Sequence, residues 1–445
     1  MATTIPPVHN YESQIVFSNQ SNNIKSTDVI NWTIAPSGDD VYFNLYKSRM
    51  TFKLKITGLA NNASTSPKVL YVPVKKNMSG IVNNTKVTYT YWNGENLTSL
   101  PLSADNENIG QVRSLLNALT DNRHNNEVNE GLKELSYIYY DDRDYIGSAT
   151  ASVVSHTAQV AAEIGRPYGG KLFHNMLKFT QPANSTTAYT TINVNFADIF
   201  EGCSQERFIN LTQMDAQIYP TNDDGYFYIN GTTNKIATAT TPNVTSTTPN
   251  TTFTGVYFDT CTLWYHSYKT SDDSTFDPED TQLVKNQIMT KTFRIPSGQG
   301  FIDDRVLVNF PVKMMFMMFT DDAGDFSSLK DVRFKRISLN IAGEQKRIIN
   351  VDNTNTPDGI DHTFFEWMDY LCNSRSDDYD TLLTYKTWLN QFRIFAFPIA
   401  EWFPMRAANQ IQFEIELDNS YDTAPNKTAT IQMHLIMIRA NTISA

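Results

Sequence analysis

Cysteine is scarce: Cys203, Cys261 and Cys372 are the only three among 445 residues. Three cannot build a disulfide framework, and the reading is of buried thiols in a reducing compartment. Glycine (19) and proline (18) are too few for a collagen-like or low-complexity chain. No apolar run reaches the roughly 18 residues that a membrane-spanning helix needs, so a soluble protein is expected. Met1 to Pro7 contain neither a basic stretch nor an apolar one, so no cleavable secretory signal is expected. Without that route, Asn-x-Ser/Thr sequons such as those at Asn31, Asn83 and Asn250 follow from abundant Asn and Thr. Charge is also thin, at 19% of residues, and 36 basic against 47 acidic side chains leave a formal −11. Apolar residues at 40% and aromatics at 12% do supply large cores, which excludes global disorder. The length suggests two to four domains.

Period-two alternation recurs along the chain. Phe52, Leu54 and Ile56 alternate with Thr51, Lys53 and Lys55, one buried face against one wet face. Val87, Tyr89 and Tyr91 repeat the pattern, as do Ile192, Val194 and Phe196, and Ile411, Phe413, Ile415 and Leu417. Further strands are expected at 30–34, 41–45, 214–219, 253–268, 305–310, 392–399 and 430–438. Met314 to Phe319 and Leu435 to Ile438 are apolar on both faces, which suits strands covered on both sides, one cover being open to a sister subunit. From Val332 and Phe334 to Ile337, Leu339 and Ile341 the parity changes, as a β-bulge would require. An antiparallel all-β framework follows.

Helical spacing interrupts it at Ile109, Val112, Leu115, Leu116 and Leu119, and after the capping-box pair Thr363 and Glu366, where Phe364, Phe365, Met368, Leu371 and Cys372 form a stripe. Weaker helical patterns lie at 127–140, 151–164 and 380–391. Residues 230–252 are dense in Thr, Asn and Pro and predict a linker or exposed loop. Two tandem β-sandwiches fit either side. The expected division is an N-terminal arm at 1–27, a first sandwich at 28–229 with a partly helical insertion near 93–165, and a second at 253–445 with a helical insertion near 361–391. Pro36-Ser37-Gly38 and Pro296-Ser297-Gly298, each ahead of an acidic pair and a strand, hint at duplication.

Catalytic signatures are thin. Gly165 to Lys171 has phosphate-loop spacing, but Leu172 replaces the required Ser or Thr and no buried strand precedes it, so a Gly-rich turn is the reading. The seven histidines (His9, His124, His156, His174, His266, His362, His434) show no metal-ligand spacing. His434 is read as solvated or hydrogen-bonded on the polar side of a strand, and Cys203 as inert. The acidic pairs at 141–142, 223–224, 321–322 and 377–378 read as turn residues ahead of Ca²⁺ ligands or glycosidase carboxylates. Lys330, Arg333, Lys335, Arg336, Lys346 and Arg347 form the one basic concentration, a solvated strand face in preference to a nucleic-acid site. No catalytic residue, metal or cofactor is assigned.

Thr190 to Gly202 resembles the Ile-Pro-Leu-Ser-x-Ile-Phe-Gly segment of virophage and Polinton-like major capsid proteins, and the strand from Phe208 to Tyr219 follows it in the same order. Phe397 to Phe403, Ile411 to Leu417 and Ala424 to Ala429 with the final strand are similar to that family's closing segments. Phe334 to Ile349 is similar in placement to its Leu-Asn-x-x-x-Tyr-Pro segment, but Ile341-Ala342-Gly343 stands where Tyr-Pro would. The resemblance implies a double jelly roll of the adenovirus-hexon lineage, a pseudo-hexagonal homotrimer that builds an icosahedral shell. It further implies penton and minor or cement proteins as partners, membrane or genome contact on the inside face, and a virion location after synthesis in the host cell. Assembly contacts are assigned to Ile5, Pro6, Pro7, Arg333, Lys335, Arg336, Trp402 and Phe403. The competing reading is a carbohydrate-binding or receptor-binding β-sandwich: a lectin, spike or glycoside hydrolase-like protein.

Overall fold

The computed structural model describes residues 8–18, 23–35, 41–76, 78–92, 95–103, 110, 112, 137–138, 176–200, 203, 208–238, 250–270, 283–308, 310–322, 324, 330, 332, 334–341, 344–350, 394–402, 409–418 and 425–443. Strands dominate them. The first group is β1 (Val8–Phe17), β2 (Ile30–Ile34), β3 (Val41–Thr57), β4 (Lys68–Pro73), β5 (Val82–Trp92), β6 (Leu97–Ser103), β7 (Tyr137–Ile138) and β8 (Met176–Gln181). It continues through β9 (Ala188–Asn195), β10 (Ile209–Asn210), β11 (Gln213–Pro220), β12 (Ile229–Asn230), β13 (Lys235–Ile236), β14 (Thr251–Thr252) and β15 (Gly255–Thr270). The second group is β16 (Leu283–Ile295), β17 (Phe301–Val308), β18 (Met314–Asp321), β19 (Phe334–Ile341), β20 (Glu344–Asn350), β21 (Phe395–Phe397), β22 (Asn409–Leu417) and β23 (Ile431–Ile443).

The pairing is antiparallel and its order repeats. One sheet runs β1-β15-β3-β9 and continues through β8 to β4; its companion runs β2-β11-β5-β6. In the second group the sheets run β16-β23-β18-β21 and β17-β22-β19-β20. Leaving out the edge additions β4, β7, β8 and β10 and the small sheet β12-β13-β14, each group numbers its strands one to eight along the chain. Both then read one, eight, three, six in one sheet and two, seven, four, five in the other. That order is two nested Greek keys, the jelly roll. Each roll has its own core: one gathers Trp32, Phe43, Phe52, Tyr89, Phe179 and Phe196, the other Phe316, Phe319, Phe334, Phe395 and Phe413.

Several expectations change. The division at residue 253 does not follow the sheets, because β15 lies between β1 and β3 and buries Val256, Phe258, Cys261 and Leu263 in the first core. The eighth strand of a jelly roll returns to the first from far along the chain, so composition could not mark it as part of that roll. For the same reason the expected arm at 1–27 contains β1, held to β15 from Val8↔Thr270 to Phe17↔Thr262. Residues 230–252 are not all loop, since β12, β13 and β14 form a sheet that buries Ile236. β6 lies inside the expected 93–165 insertion, and Tyr137–Ile138 is strand within the 127–140 helical pattern. The bulge on β19 is present, between Phe334 and Arg336. Gly110 and Val112 are helical as expected, while the helical patterns at 151–164, 363–372 and 380–391 lie outside the described residues. Among the described residues no helix is long and apolar enough to cross a membrane.

Candidate assembly surface

The second roll's sheet β16-β23-β18-β21 is apolar on both sides because its strands abandon alternation. On one face Met315, Met317 and Phe319 lie beside Met437, Leu435 and Met433 of β23. This face meets the companion sheet, with Phe293 against Phe413 at 5.3 Å and Phe334 against Phe395 at 4.5 Å between ring centroids. On the opposite face Met314, Phe316, Met318, Ala396 and Ile436 are buried as well. A cover from a sister subunit is therefore not needed, because the single chain already buries them. Val112, from the connection between strands five and six of the first roll, joins this second core. Two residues earlier, a Cβ on Gly110 would lie 2.0 Å from the Ser79 carbonyl oxygen of the first roll. Close backbone approach there requires glycine.

His434 belongs to that second face. Its Nε2 lies 2.8 Å from Thr320 Oγ1 and its Nδ1 3.1 Å from Thr292 Oγ1. It is hydrogen-bonded, as one half of the sequence reading held, but buried where the other half placed it in solvent. Burial pushes the imidazole down from 6.5 to about 4.

Two outer faces differ in chemistry: that of the first roll is half-buried along β3, with Asn193 and Asn195 of β9 buried on it, and that of the second is more open. On β3, Met50, Phe52, Leu54 and Ile56 point inward while Arg49, Thr51, Lys53 and Lys55 point out. Across β9 and β8 the same face carries Tyr189 and Lys178, and on β15 it carries Tyr257 and the 43% exposed Trp264. Asp259 lies 3.0 Å from Lys53 and 3.5 Å from Lys55. The Lys53 ammonium sits 4.8 Å from the Tyr189 ring centre and that of Lys55 5.9 Å from Tyr257. On the second roll, β17 turns Ile302, Val306 and Val308 inward and Phe301, Asp303, Arg305 and Leu307 outward. Phe301 and Leu307 are 52% and 74% exposed. β22 sets Glu414 opposite Asp303 and Glu416 opposite Phe301.

Of the residues assigned to assembly, Lys335 and Arg336 are exposed at the start of β19, with Lys335 3.8 Å from Glu416. Trp402 ends the short helix Ile399–Trp402. Ile5, Pro6, Pro7, Arg333 and Phe403 lie outside the described residues, as do the phosphate-loop-like segment and Cys372. Arg336 stands opposite Glu416, so Lys335 and Arg336 share the outer face of β17 and β22 with Asp303 and Glu414.

No reactive thiol accompanies these faces among the described residues. Cys203 is buried with its sulfur 3.1 Å from the Tyr89 hydroxyl, and burial raises the Cys261 thiol far above its ordinary range. No group of three potential metal ligands occurs among the described residues. Of the acidic pairs, Asp223 and Asp224 open a one-turn helix, where burial raises the Asp223 carboxyl against a hydrogen bond from Ser26. Asp321 ends β18, and Asp322 accepts two 2.7 Å hydrogen bonds from Arg294 that hold its carboxyl low. Both pairs occupy strand-end positions, as turn residues do.

No family model matches the sequence, and no curated protein matches it. Solved structures do. The chain is similar to a chain in the 3.5 Å cryo-electron microscopy structure of the Sputnik virophage, with a TM-score of 0.54 and 11% identity over 98% of this chain and 86% of that one. The mavirus major capsid protein aligns with a TM-score of 0.48 and 8% identity over 97% and 87%. The Faustovirus major capsid protein gives 0.44 and 11% over 98% and 90%. With its strand order stated twice in one chain and a chain of the Sputnik virophage structure matching over nearly its whole length, this protein has a double jelly-roll fold.

Proposed function

We propose that this chain is a major capsid protein that assembles as a pseudo-hexagonal homotrimer and builds an icosahedral viral shell. One observation carries the reading: the same eight-strand order occurs twice in a single chain. Three such chains about a threefold axis present six similar rolls, so a trimer fills a sixfold-shaped position in a closed lattice. The work is burial of surface, with no bond made or broken. The virion is then its place of residence. Partners are further copies, then penton and minor or cement proteins, with membrane or genome against the inner side. Ile5, Pro6, Pro7, Arg333, Lys335, Arg336, Trp402 and Phe403 are proposed as assembly contacts.

Light scattering at micromolar concentration and neutral pH, paired with negative-stain microscopy, tests it. A trimer mass and a six-cornered outline are expected. A monodisperse monomer, or glycan-dependent binding by that monomer, would remove the proposal.

A further inference from the structure

We propose that Lys55 and Asn23 join through an isopeptide bond, with Asp259 carrying the proton, so that the first roll fastens its own closing strand. Assembly itself makes no bond; this one links two residues of a single chain and stands whether or not copies associate.

Three segments bring the groups together. β3 holds Lys55 outward, paired with Tyr257 of β15, the eighth strand of the roll. Beyond the next pair the register of β15 shifts between Phe258 and Thr260, and the extra residue is Asp259. A bulge of this kind re-aims a side chain. Here it gives each lysine one carboxylate oxygen: Oδ2 lies 3.0 Å from Lys53 Nζ and Oδ1 3.5 Å from Lys55 Nζ. On the side of β15 away from β3, Ile24 exchanges both backbone hydrogen bonds with Phe258, at 3.0 and 2.8 Å, and buries its side chain in the first core. That anchor fixes the residue before it. Asn23 has φ +69°, a left-handed conformation that Asn adopts more readily than most residues. Its Oδ1 accepts a hydrogen bond from Lys55 Nζ. Lys55 therefore reaches over β15 from one side to Asn23 on the other.

An amine, an amide carbon and a proton carrier are thus in contact. Lys55 passes a proton to Asp259 Oδ1, and the freed lone pair attacks Asn23 Cγ. The new Nζ–Cγ bond forms as the carbonyl pair moves onto Oδ1, and its return breaks the bond to the amide nitrogen. Of the two protons that Lys55 gives up, one passes through Asp259 to that nitrogen and the other goes to water, so ammonia departs and nothing is oxidised or reduced. The Lys55 and Asp259 side chains are only 16% and 17% exposed, which limits competition from water, while Asn23 lies on the open side where ammonia can leave. Groups held in contact by the fold react without the entropy cost of meeting. Lys55 and Asn23 are 32 residues apart, and Asp259 reaches them only when β15 is seated between β1 and β3. The bond therefore marks a finished roll.

Intact-mass and tandem mass spectrometry of the full chain, purified folded and then denatured, test this. Wild type is expected to weigh less than its sequence by one ammonia. Trypsin should leave Lys55 uncut, with the peptide ending at Lys25 joined through Asn23 to residues 54–68. Lys55→Arg and Asn23→Ala are expected at full sequence mass, and Asp259→Asn to carry at most about a tenth of the wild-type linked fraction. Circular dichroism checks that each variant is folded, and the wild-type mass decides the matter even where one is not. A wild-type chain at full sequence mass, cut after Lys55, overturns the inference. Deamidation at Asn23 without the joined peptide assigns the site to hydrolysis and overturns it too. Full linkage in folded Asp259→Asn overturns the role given to Asp259.

Discussion

His434 ties the stability of the second roll to pH. Its ring is held neutral between Thr320 and Thr292, with its pKa lowered by burial from 6.5 to about 4. The unfolded chain therefore takes up a proton below pH 6.5 that the folded chain refuses until about pH 4. Stability is complete above the upper value and declines through that window, by up to roughly 3 kcal/mol from this residue. Denaturant midpoints from pH 7 to 4 should fall more steeply in wild type than in His434→Gln, and equal slopes would refute the assignment. Half of this was readable beforehand: His434 and Gln432 share a parity, which suggests a wet face. Ile436 and Ile438 share it too, and they mark where that face turns apolar. Leu307 makes the opposite case. At 74% exposure, Leu307→Ser should change the unfolding free energy by no more than about 0.5 kcal/mol. If association weakens with stability unchanged, its exposure serves contact between copies.

Strands with a clear period were legible and strands with distant partners were not. β3, β5, β9 and β22 announce themselves by alternation, and the parity change on β19 located its bulge. β18 also stood out, since an unbroken apolar run fits a strand buried on both faces. Phe316→Ala there should cost about 3–5 kcal/mol in chemical denaturation, because the ring is fully buried and the sheet around it has little room to close. A loss below about 1 kcal/mol would show that face to be less tightly covered than its burial implies. β1 went unrecognised because Val8–Phe17 mixes polar and apolar residues without a period. Its position is set by β15, which pairs with nine of its ten residues. Removing residues 1–17 would leave β15 as an open edge, and a lower first melting transition with aggregation is expected in differential scanning. Removing only 1–7 spares every described strand and should leave that transition in place.

The repeated strand order was far less visible in the sequence than its parts. The two Pro-Ser-Gly triplets hinted at duplication, yet in chain order one falls between β2 and β3 and the other between β16 and β17, positions that are not equivalent in the two rolls. What is shared is the order of pairing, which depends on contacts across the chain and leaves no fixed spacing behind. The outer faces were hidden for a related reason: Arg49, Lys53 and Lys178 meet on one surface only once β9 lies between β3 and β8. Because the two cores contain separate sets of residues, calorimetry should resolve two unfolding transitions, and one sharp transition would mean that the rolls melt together.

Each roll also fixes when it can be finished during synthesis. Its eighth strand lies between the first and the third, so the earlier strands leave a slot one strand wide in the sheet. A ribosome that has delivered residues 8–254 has made a first roll with an unzipped seam, and Gly255–Thr270 is the tooth row that shuts it. The second seam waits for Ile431–Ile443. Until each of those segments emerges, the nascent chain bears two ladders of unpaired amides, and a stop codon ahead of either one would release a product with that seam still open.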